Sequence, residues 1–438
     1  MFEEGMTRRG ILKTGLAFGA GAVFGKMLIV DALAQSTRDG GRPNIIFFLA
    51  DDLGMQVLKM YGGKTTFGMD IKTPNLDALA AGGMRFDHAF ACAVCSPTRS
   101  QLMTGKYNFR TGFIDIAGRT GAATSLDAQK HPTLPATLKA AGYAAAITGK
   151  WHLGECGKFP TPDLVDTNSP HVKECGFDRQ YVFPGGHLTK YGQPLPGKYT
   201  PDWFHNWAMN FIDGRKGKTE PFFLYYASPI PHTPWMPTPL NPTAAKDPEL
   251  YASLIEYIDK QVGELIRKLD DLGMRENTLV MFAGDNGCQL GMTSVMADGR
   301  TVPGGKRSML DTATRVPLLA NWPGKVPAGS VNENLIDFTD LMPTYLELAG
   351  AKAPGALDGV SFAPQLLGQK GNPREWVYVQ QVNKYFARDA KWKLREDGTL
   401  YDISGPLSVE TLVSNPQGQA VDAKNRLQAV LDKLHSKP

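Results

Sequence analysis

The sequence predicts an α/β fold: a large, mostly parallel sheet sandwiched by helices, with a small C-terminal subdomain made of an antiparallel sheet and a helix. Three observations lead there. Short unbroken apolar runs recur along the chain, as expected of strands buried on both faces. Stretches with helical periodicity separate them, the alternation that builds parallel sheets. After about Pro373 the texture changes to short alternating segments.

The first run, Asn44 to Ala50, stops at two acids, Asp51 and Asp52. Similar runs follow at Tyr143 to Thr148, Phe222 to Ala227, Leu279 to Ala283 and Val316 to Ala320. Helical periodicity covers Leu134 to Ala141, closed by Gly142, and Leu250 to Leu272, closed by Gly273. Near the C-terminus, Val377 to Val382 and Lys391 to Arg395 read as strands and Ala420 to Leu434 as a helix. The chain thus divides into a leader 1–34, a main domain 35–372 and a subdomain 373–438. Pro- and Gly-rich stretches from Phe183 to Trp203 and from Pro229 to Pro242 read as ordered loops able to shape a pocket.

Composition narrows the class. With 438 residues, 42% hydrophobic and 21% charged, the chain is neither disordered nor a polytopic membrane protein. Its formal net charge of +4 gives no sign of a nucleic-acid surface. Thr7, Arg8, Arg9, Gly10, Ile11, Leu12, Lys13 resembles a twin-arginine export signal, followed by a Gly/Ala-rich apolar run and small residues at Ala32, Leu33, Ala34. An ordinary secretory signal or an uncleaved anchor is the alternative. A periplasmic or secreted protein, with no stable membrane span in its mature form, is the expectation. Its five cysteines leave an odd one, unusual in an oxidising compartment.

In open parallel sheets ligands bind beyond the carboxyl ends of the strands. There the first run ends in Asp51 and Asp52, the second leads into Lys150 and His152, the third precedes His232, and the fourth precedes Asp285 and Asn286. A further segment, Cys95, Ser96, Pro97, Thr98, Arg99 to Gly105, reads as a helix with Ser96 as N-cap and Pro97 at the first position. Cys95 then lies just before the anion-attracting N-terminus, with Arg99 one turn further in. Taken alone, Cys92 and Cys95 form a C-x-x-C pair, open to a redox dithiol or a structural disulfide.

The stretch from Cys95 to Gly105 matches C-x-P-x-R followed by Thr-Gly, and it resembles the signature of the type I, formylglycine-dependent sulfatases of the alkaline phosphatase superfamily. Gly142 and Tyr143 with Thr148 to Gly154 resemble the second signature of that family. The resemblance implies a sulfuric ester hydrolase whose Cys95 is oxidised to formylglycine by a formylglycine-generating enzyme, the aldehyde hydrate being the nucleophile. It further implies a divalent cation held by Asp51, Asp52, Asp285, Asn286 and the modified Cys95. An all-oxygen shell of that kind suits Ca²⁺, with Mg²⁺ the alternative. Lys306, in Gly304, Gly305, Lys306, Arg307, Ser308, is similar to the family's active-site lysine, although Asp311, Thr312, Ala313, Thr314 depart from the usual acid and two glycines before Arg315, Val316, Pro317.

By the same resemblance, Lys150, Lys306 and Arg99 screen the ester's charge, His232 protonates the leaving alcohol and His152 takes a proton from the second hydroxyl. Read on its own, His232 is equally a loop histidine among prolines. Competing functions are a phosphonate monoester or phosphodiester hydrolase on the same machinery, a decayed glycan binder, and a thiol oxidoreductase centred on Cys92 and Cys95. The last gives no role to Asp51, Asp52, Asp285 or Asn286. Trp203, His205, His187 and Trp235 fall in loops that either line a substrate pocket or simply pack, and Cys156 with Cys175 is a candidate disulfide.

Overall fold

Alternate residues of the Asn44–Ala50 strand enter two different cores. Ile45, Phe47 and Leu49 join one hydrophobic cluster, and Ile46, Phe48 and Ala50 the other. The Phe222–Ala227 strand does the same, with Phe223, Tyr225 and Ala227 on one side and Phe222, Leu224 and Tyr226 on the other. A strand with apolar cover on both faces has to sit between two helical layers, which is why these runs show no polar alternation. The protein is described here by a computed structural model of residues 41–155, 168–185 and 199–436. The expected leader, Cys156 and His187 lie outside those residues.

The main sheet has eight strands. Their spatial order is Ser330–Asp337, Met84–Phe90, Leu318–Asn321, Thr278–Gly284, Asn44–Ala50, Phe222–Ala227, Ala144–Lys150 and Arg179–Phe183. Asn44–Ala50 pairs in parallel with Phe222–Ala227 and with Thr278–Gly284, so three strand ends open on the same side. The 25-residue helix Asp247–Asp271 covers one face. It starts with Pro248 in its first turn and acids Asp247 and Glu249 at the positive end of the dipole, and it buries Leu254, Ile258, Val262, Leu265 and Leu269 along one stripe.

The structure corrects several sequence readings. The run expected at Val316 to Ala320 is the strand Leu318–Asn321, and it lies antiparallel to both neighbours. Its N-terminal end therefore faces the site, so the functional segment around Lys306 precedes this strand where parallel strands place such residues after them. Met84–Phe90, Arg179–Phe183, Ser330–Asp337 and Lys384–Arg388 are strands that apolar runs do not reveal, because each carries charged or amide side chains. Ser330–Asp337 is an edge strand with an irregularity between Asn332 and Leu335. Among the described residues no helix is long and apolar enough to cross a membrane.

The C-terminal sheet is antiparallel, ordered Val377–Gln381, Lys384–Arg388, Trp392–Arg395, Leu400–Asp402 and Thr411–Leu412. The helix Gln419–His435 packs Leu427 and Leu431 onto it. A buried ion cluster ties this sheet to the helical turn Asp311–Thr314, which precedes the strand Leu318–Asn321: Asp311 accepts from Arg388 at 2.6 Å and from Lys393 at 3.4 Å. Burial opposes the charge of Asp311, yet Arg388 and Lys393 outweigh it and hold the carboxyl below the usual carboxylate range. Asp311–Thr314 thus form a buried helical turn that anchors the subdomain.

Because the folded pKa of Asp311 is depressed, its contribution to stability is present above the unfolded value of about 3.9 and is lost as pH falls toward the folded one. Asp311→Asn leaves the buried Arg388 guanidinium without its carboxylate, while Lys393 keeps Glu410 at 2.7 Å, and should cost about 3–5 kcal/mol at pH 7. Urea denaturation measures this, and the variant's midpoint should fall less than that of the wild type as pH drops below about 4, where the unfolded chain takes up the proton that the folded carboxyl still refuses.

Candidate active site

The chain enters the helix Cys95–Thr104 through Val94, so Cys95 is its first residue and Pro97 its third. This shifts the expected start by two residues, because Val94, with extended backbone and no side-chain cap, takes the place expected of Ser96. Ser96 Oγ instead accepts from the backbone N–H of Ala117 at 3.1 Å. Gly105 ends the helix in the left-handed region. Every residue of this helix is buried, and Arg99 has 0% exposure.

The carboxyl ends of three parallel strands converge on this helix start. Asp51 accepts from the Cys95 thiol at 3.2 Å and from the Lys150 ammonium. Asp285, one residue past its strand, takes the Arg99 guanidinium at 2.7 Å and the Asp52 N–H at 3.1 Å. Lys306 reaches Asp52 at 2.6 and 2.7 Å to its two oxygens. Asn286 donates to Asp52 at 2.7 Å, while its own buried Oδ1 has no hydrogen-bond partner among the described residues. Ligand-capable atoms of Asp51, Asp52, Cys95 and His232 lie within 4.8 Å of one another.

Backbone conformation aims two of these groups. Gly149, with φ +98°, lets the Ala144–Lys150 strand approach its neighbour so closely that a Cβ would lie 1.9 Å from the Ala227 carbonyl oxygen. Only glycine fits there, and it turns Lys150 toward Asp51. Asp52 and His152 are themselves in the left-handed region, at φ 68° and 58°, the kind of local strain that clusters where side-chain direction matters.

The field within the site is uneven. Burial works against the ammonium groups of Lys150 and Lys306, but Asp51 and Cys95 around the first and Cys95, Asp52 and Asp51 around the second raise both, so both carry charge. Burial tends to raise Asp51, and Lys150, His232 and Arg99 outweigh it to hold that carboxyl down. Asp285 goes the other way, pushed up to about 6 by burial and by the neighbouring Asp51. Burial, then Asp285 and Asp51, push the Cys95 thiol well above its usual value. Both histidines are lowered by burial, His152 strongly and with help from Lys150 and Arg99. His232 Nδ1 faces the Thr233 carbonyl at 2.6 Å and so carries its hydrogen, leaving Nε2 toward Asp52 at 3.8 Å.

All six sequence-predicted catalytic positions, Cys95, Arg99, Lys150, His152, His232 and Lys306, thus gather around the four acid and amide positions. A cavity of about 560 Å³ opens above them, with Cys95, His152, His232 and Lys306 in its wall. Two participants escaped the sequence reading. Gln289 donates to Asp52 at 2.7 Å, and the Tyr225 hydroxyl accepts from Arg99 at 3.2 Å. Gln289 follows Asp285 by four residues in the same loop, so the strand-end rule could have found it. Tyr225 lies within an apolar strand run and leaves no such signal.

Of the residues expected either to line a pocket or to pack, Trp235 and His205 pack. Trp235 meets Phe67 and Tyr251 edge to face, and His205 is held between Tyr226 and Glu264. Trp203 lies half-buried on the helix Thr200–Asp213 and is absent from the cavity wall. Cys92, Cys95 and Cys175 are free thiols.

The family comparison decides what this arrangement belongs to: the Sulfatase family profile matches residues 43–351. The chain belongs to the sulfatase family. Residues 304–431 also match the C-terminal profile of N-sulphoglucosamine sulphohydrolase. N-acetylgalactosamine-6-sulfatase of Canis lupus familiaris is 32% identical over 77% of this sulfatase and 68% of that protein. Arylsulfatase A of Bos taurus is 34% identical over 83% of this chain and 76% of its own. Among solved structures, that of Ps i-CgsB superposes with a TM-score of 0.73 at 28% identity, covering 90% of this chain and 92% of that one. The protein is a sulfuric ester hydrolase with the α/β sulfatase fold.

Proposed function

We propose that this sulfatase cleaves sulfate monoesters with a nucleophile made from Cys95, assisted by one divalent cation. The observation that carries the reading is the convergence of Cys95, three buried carboxylates and three buried cations at the floor of one cavity. The orphaned Asn286 Oδ1 supports the cation: a buried carbonyl oxygen beside three carboxylates, with no donor among the described residues, is what a hard ion takes. Asp51, Asp52, Asp285, Asn286 and residue 95 would hold it, Ca²⁺ first and Mg²⁺ as the alternative. Bound there, it would polarise the ester and favour the deprotonated nucleophile.

Converted to formylglycine by a formylglycine-generating enzyme, residue 95 would supply, as its hydrate, one hydroxyl for attack and a second whose deprotonation expels sulfate. The chain's own groups fit the remaining tasks. Lys150, Lys306 and Arg99 spread positive charge around the sulfuryl oxygens, so one anion can approach another. His152, kept neutral by burial, has the free ring capacity of a base. His232 presents Nε2 to the cavity, and an anionic ester bound beside it would raise its pKa toward protonation and donation to the leaving alcohol. Lys306, charged and on the same wall, can support that proton.

We further propose export through the twin-arginine pathway to the periplasm or beyond, with the boundaries 1–34, 35–372 and 373–438 separating leader, catalytic domain and subdomain. Because that route carries folded proteins, Cys95 would be modified in the cytoplasm first.

Parallel assays with 4-nitrophenyl sulfate and a phosphonate monoester test the substrate class. The expected outcome is a larger kcat/KM on the sulfate, abolished by Cys95→Ala; a phosphonate preference would replace this reading with a phosphonate hydrolase. The role of His232 has a sharper signature. His232→Ala should lower kcat/KM by about 10²–10⁴-fold on an alkyl sulfate, whose leaving group needs a proton, and far less on 4-nitrophenyl sulfate. An equal loss on both would mean that the ring does not donate.

A further inference from the structure

Two arginines on the wall of the catalytic cavity, Arg119 and Arg307, have no role in the chemistry just described. Both are exposed, and neither side chain has an ion-pair or hydrogen-bond partner among the described residues. Arg179 and Arg267 are exposed and without such a partner among the described residues in the same way, but neither lies on the cavity wall. Arg85, Arg110, Arg215, Arg300, Arg395 and Arg426, none of them fully buried, each meet a carboxylate within 3.0 Å. An acid in the cavity wall would have given Arg119 and Arg307 the same option, but the wall contains neither Asp nor Glu among the described residues.

Both arginines stand on loops tied to the nucleophile's own segment. The loop of Arg119 is pinned to the helix start, where Ala117 N–H donates to Ser96 Oγ at 3.1 Å, next to Cys95. It is closed on itself by Arg119 N–H to the Ile116 carbonyl at 2.9 Å and Ala122 N–H to the Arg119 carbonyl at 2.8 Å. The nearby Asp115 is committed to Ile116 N–H at 2.8 Å and the Thr120 hydroxyl at 2.7 Å. On the other loop, Arg307 N–H donates to the Ala93 carbonyl at 3.0 Å, two residues before Cys95. Arg307 also holds φ at +73°, a left-handed conformation that costs a non-glycine residue free energy and persists only where the surroundings impose it. Two rigid loops, each anchored within two residues of Cys95, therefore carry unspent guanidinium groups to one opening.

We infer that Arg119 and Arg307 form a recognition site for a second anionic group on the substrate, a carboxylate or another sulfate borne by the part that leaves. The substrate class is then a polyanionic sulfated glycan; an aryl or alkyl sulfate with an uncharged leaving group would not use the site. Guanidinium is suited to this because it meets carboxylate or sulfate through two parallel N–H groups and remains charged at any physiological pH. The two residues set specificity; the sulfate being cleaved stays with Lys150, Lys306 and Arg99. This inference rests on the sulfatase reading above.

Competition against 4-nitrophenyl sulfate turnover tests it. Competitors are matched pairs of sulfated disaccharides differing only in a second anion: a uronate-containing disaccharide with its carboxyl-reduced partner, and a disulfated with a monosulfated form. In the wild type, the second anion should lower the inhibition constant about tenfold or more in at least one pair, and the advantage should shrink as salt is raised. Arg119→Ala/Arg307→Ala should remove that advantage, and the double lysine variant should keep part of it. Either of two results would overturn the inference: no pair favouring the second anion in the wild type, or an advantage that survives in the double alanine variant. Loss of all 4-nitrophenyl sulfate turnover in the mature, metal-loaded wild type would be a different failure, that of the sulfatase reading itself.

Discussion

Three carboxylates, Asp51, Asp52 and Asp285, are buried together at the end of one sheet, and the rest of the site depends on how that charge is offset. Each faces a buried cation delivered by a different element: Lys150 from a strand end, Arg99 from the helix that starts at Cys95, and Lys306 from the loop before the antiparallel strand. Removing water from a single carboxylate costs several kcal/mol unless a partner replaces it. The pairs must therefore assemble together, and their geometry fixes where Cys95 points. Losing any one cation would leave an uncompensated buried acid, so folding and the electrostatics of catalysis share the same contacts.

The same logic is repeated in the turn that follows Lys306. Asp311, Arg388, Lys393 and Glu410 form a second buried ion cluster, this one joining the C-terminal sheet to the loop that carries Lys306. The subdomain is thereby coupled to the loop segment that also presents Arg307. Charge is thus arranged in layers: compensated pairs at the floor, a neutral histidine pair in the wall, and at the opening two arginines that no carboxylate among the described residues offsets. Among the described residues, an anionic substrate meets positive charge on the cavity wall and paired charges where it reacts.

Much of this was legible in the sequence because a polar residue that closes a buried apolar run is seldom there for packing. Asp51, Asp52, Lys150, His152, Asp285 and Asn286 all sit at or just past a buried strand, and parallel topology brings those ends together. What was not legible follows equally from physics. The direction of Leu318–Asn321 depends on the return path of its loop, which an apolar run does not encode. Met84–Phe90 reads as polar because Arg85 and Asp87 pair with each other on a half-buried face. The start of the nucleophile helix moved to Cys95 because Ser96 serves a loop and leaves the cap to backbone. Tyr225 is one of six consecutive buried strand residues, and nothing in its neighbours marks it as the acceptor for Arg99.

The central claim is that Cys95 is the precursor of the nucleophile and not its final form. Mass spectrometry of the peptide containing residue 95, from active protein made in its native host, tests that directly. The account predicts an aldehyde in place of the thiol in the active fraction. An unmodified cysteine throughout fully active protein would contradict it.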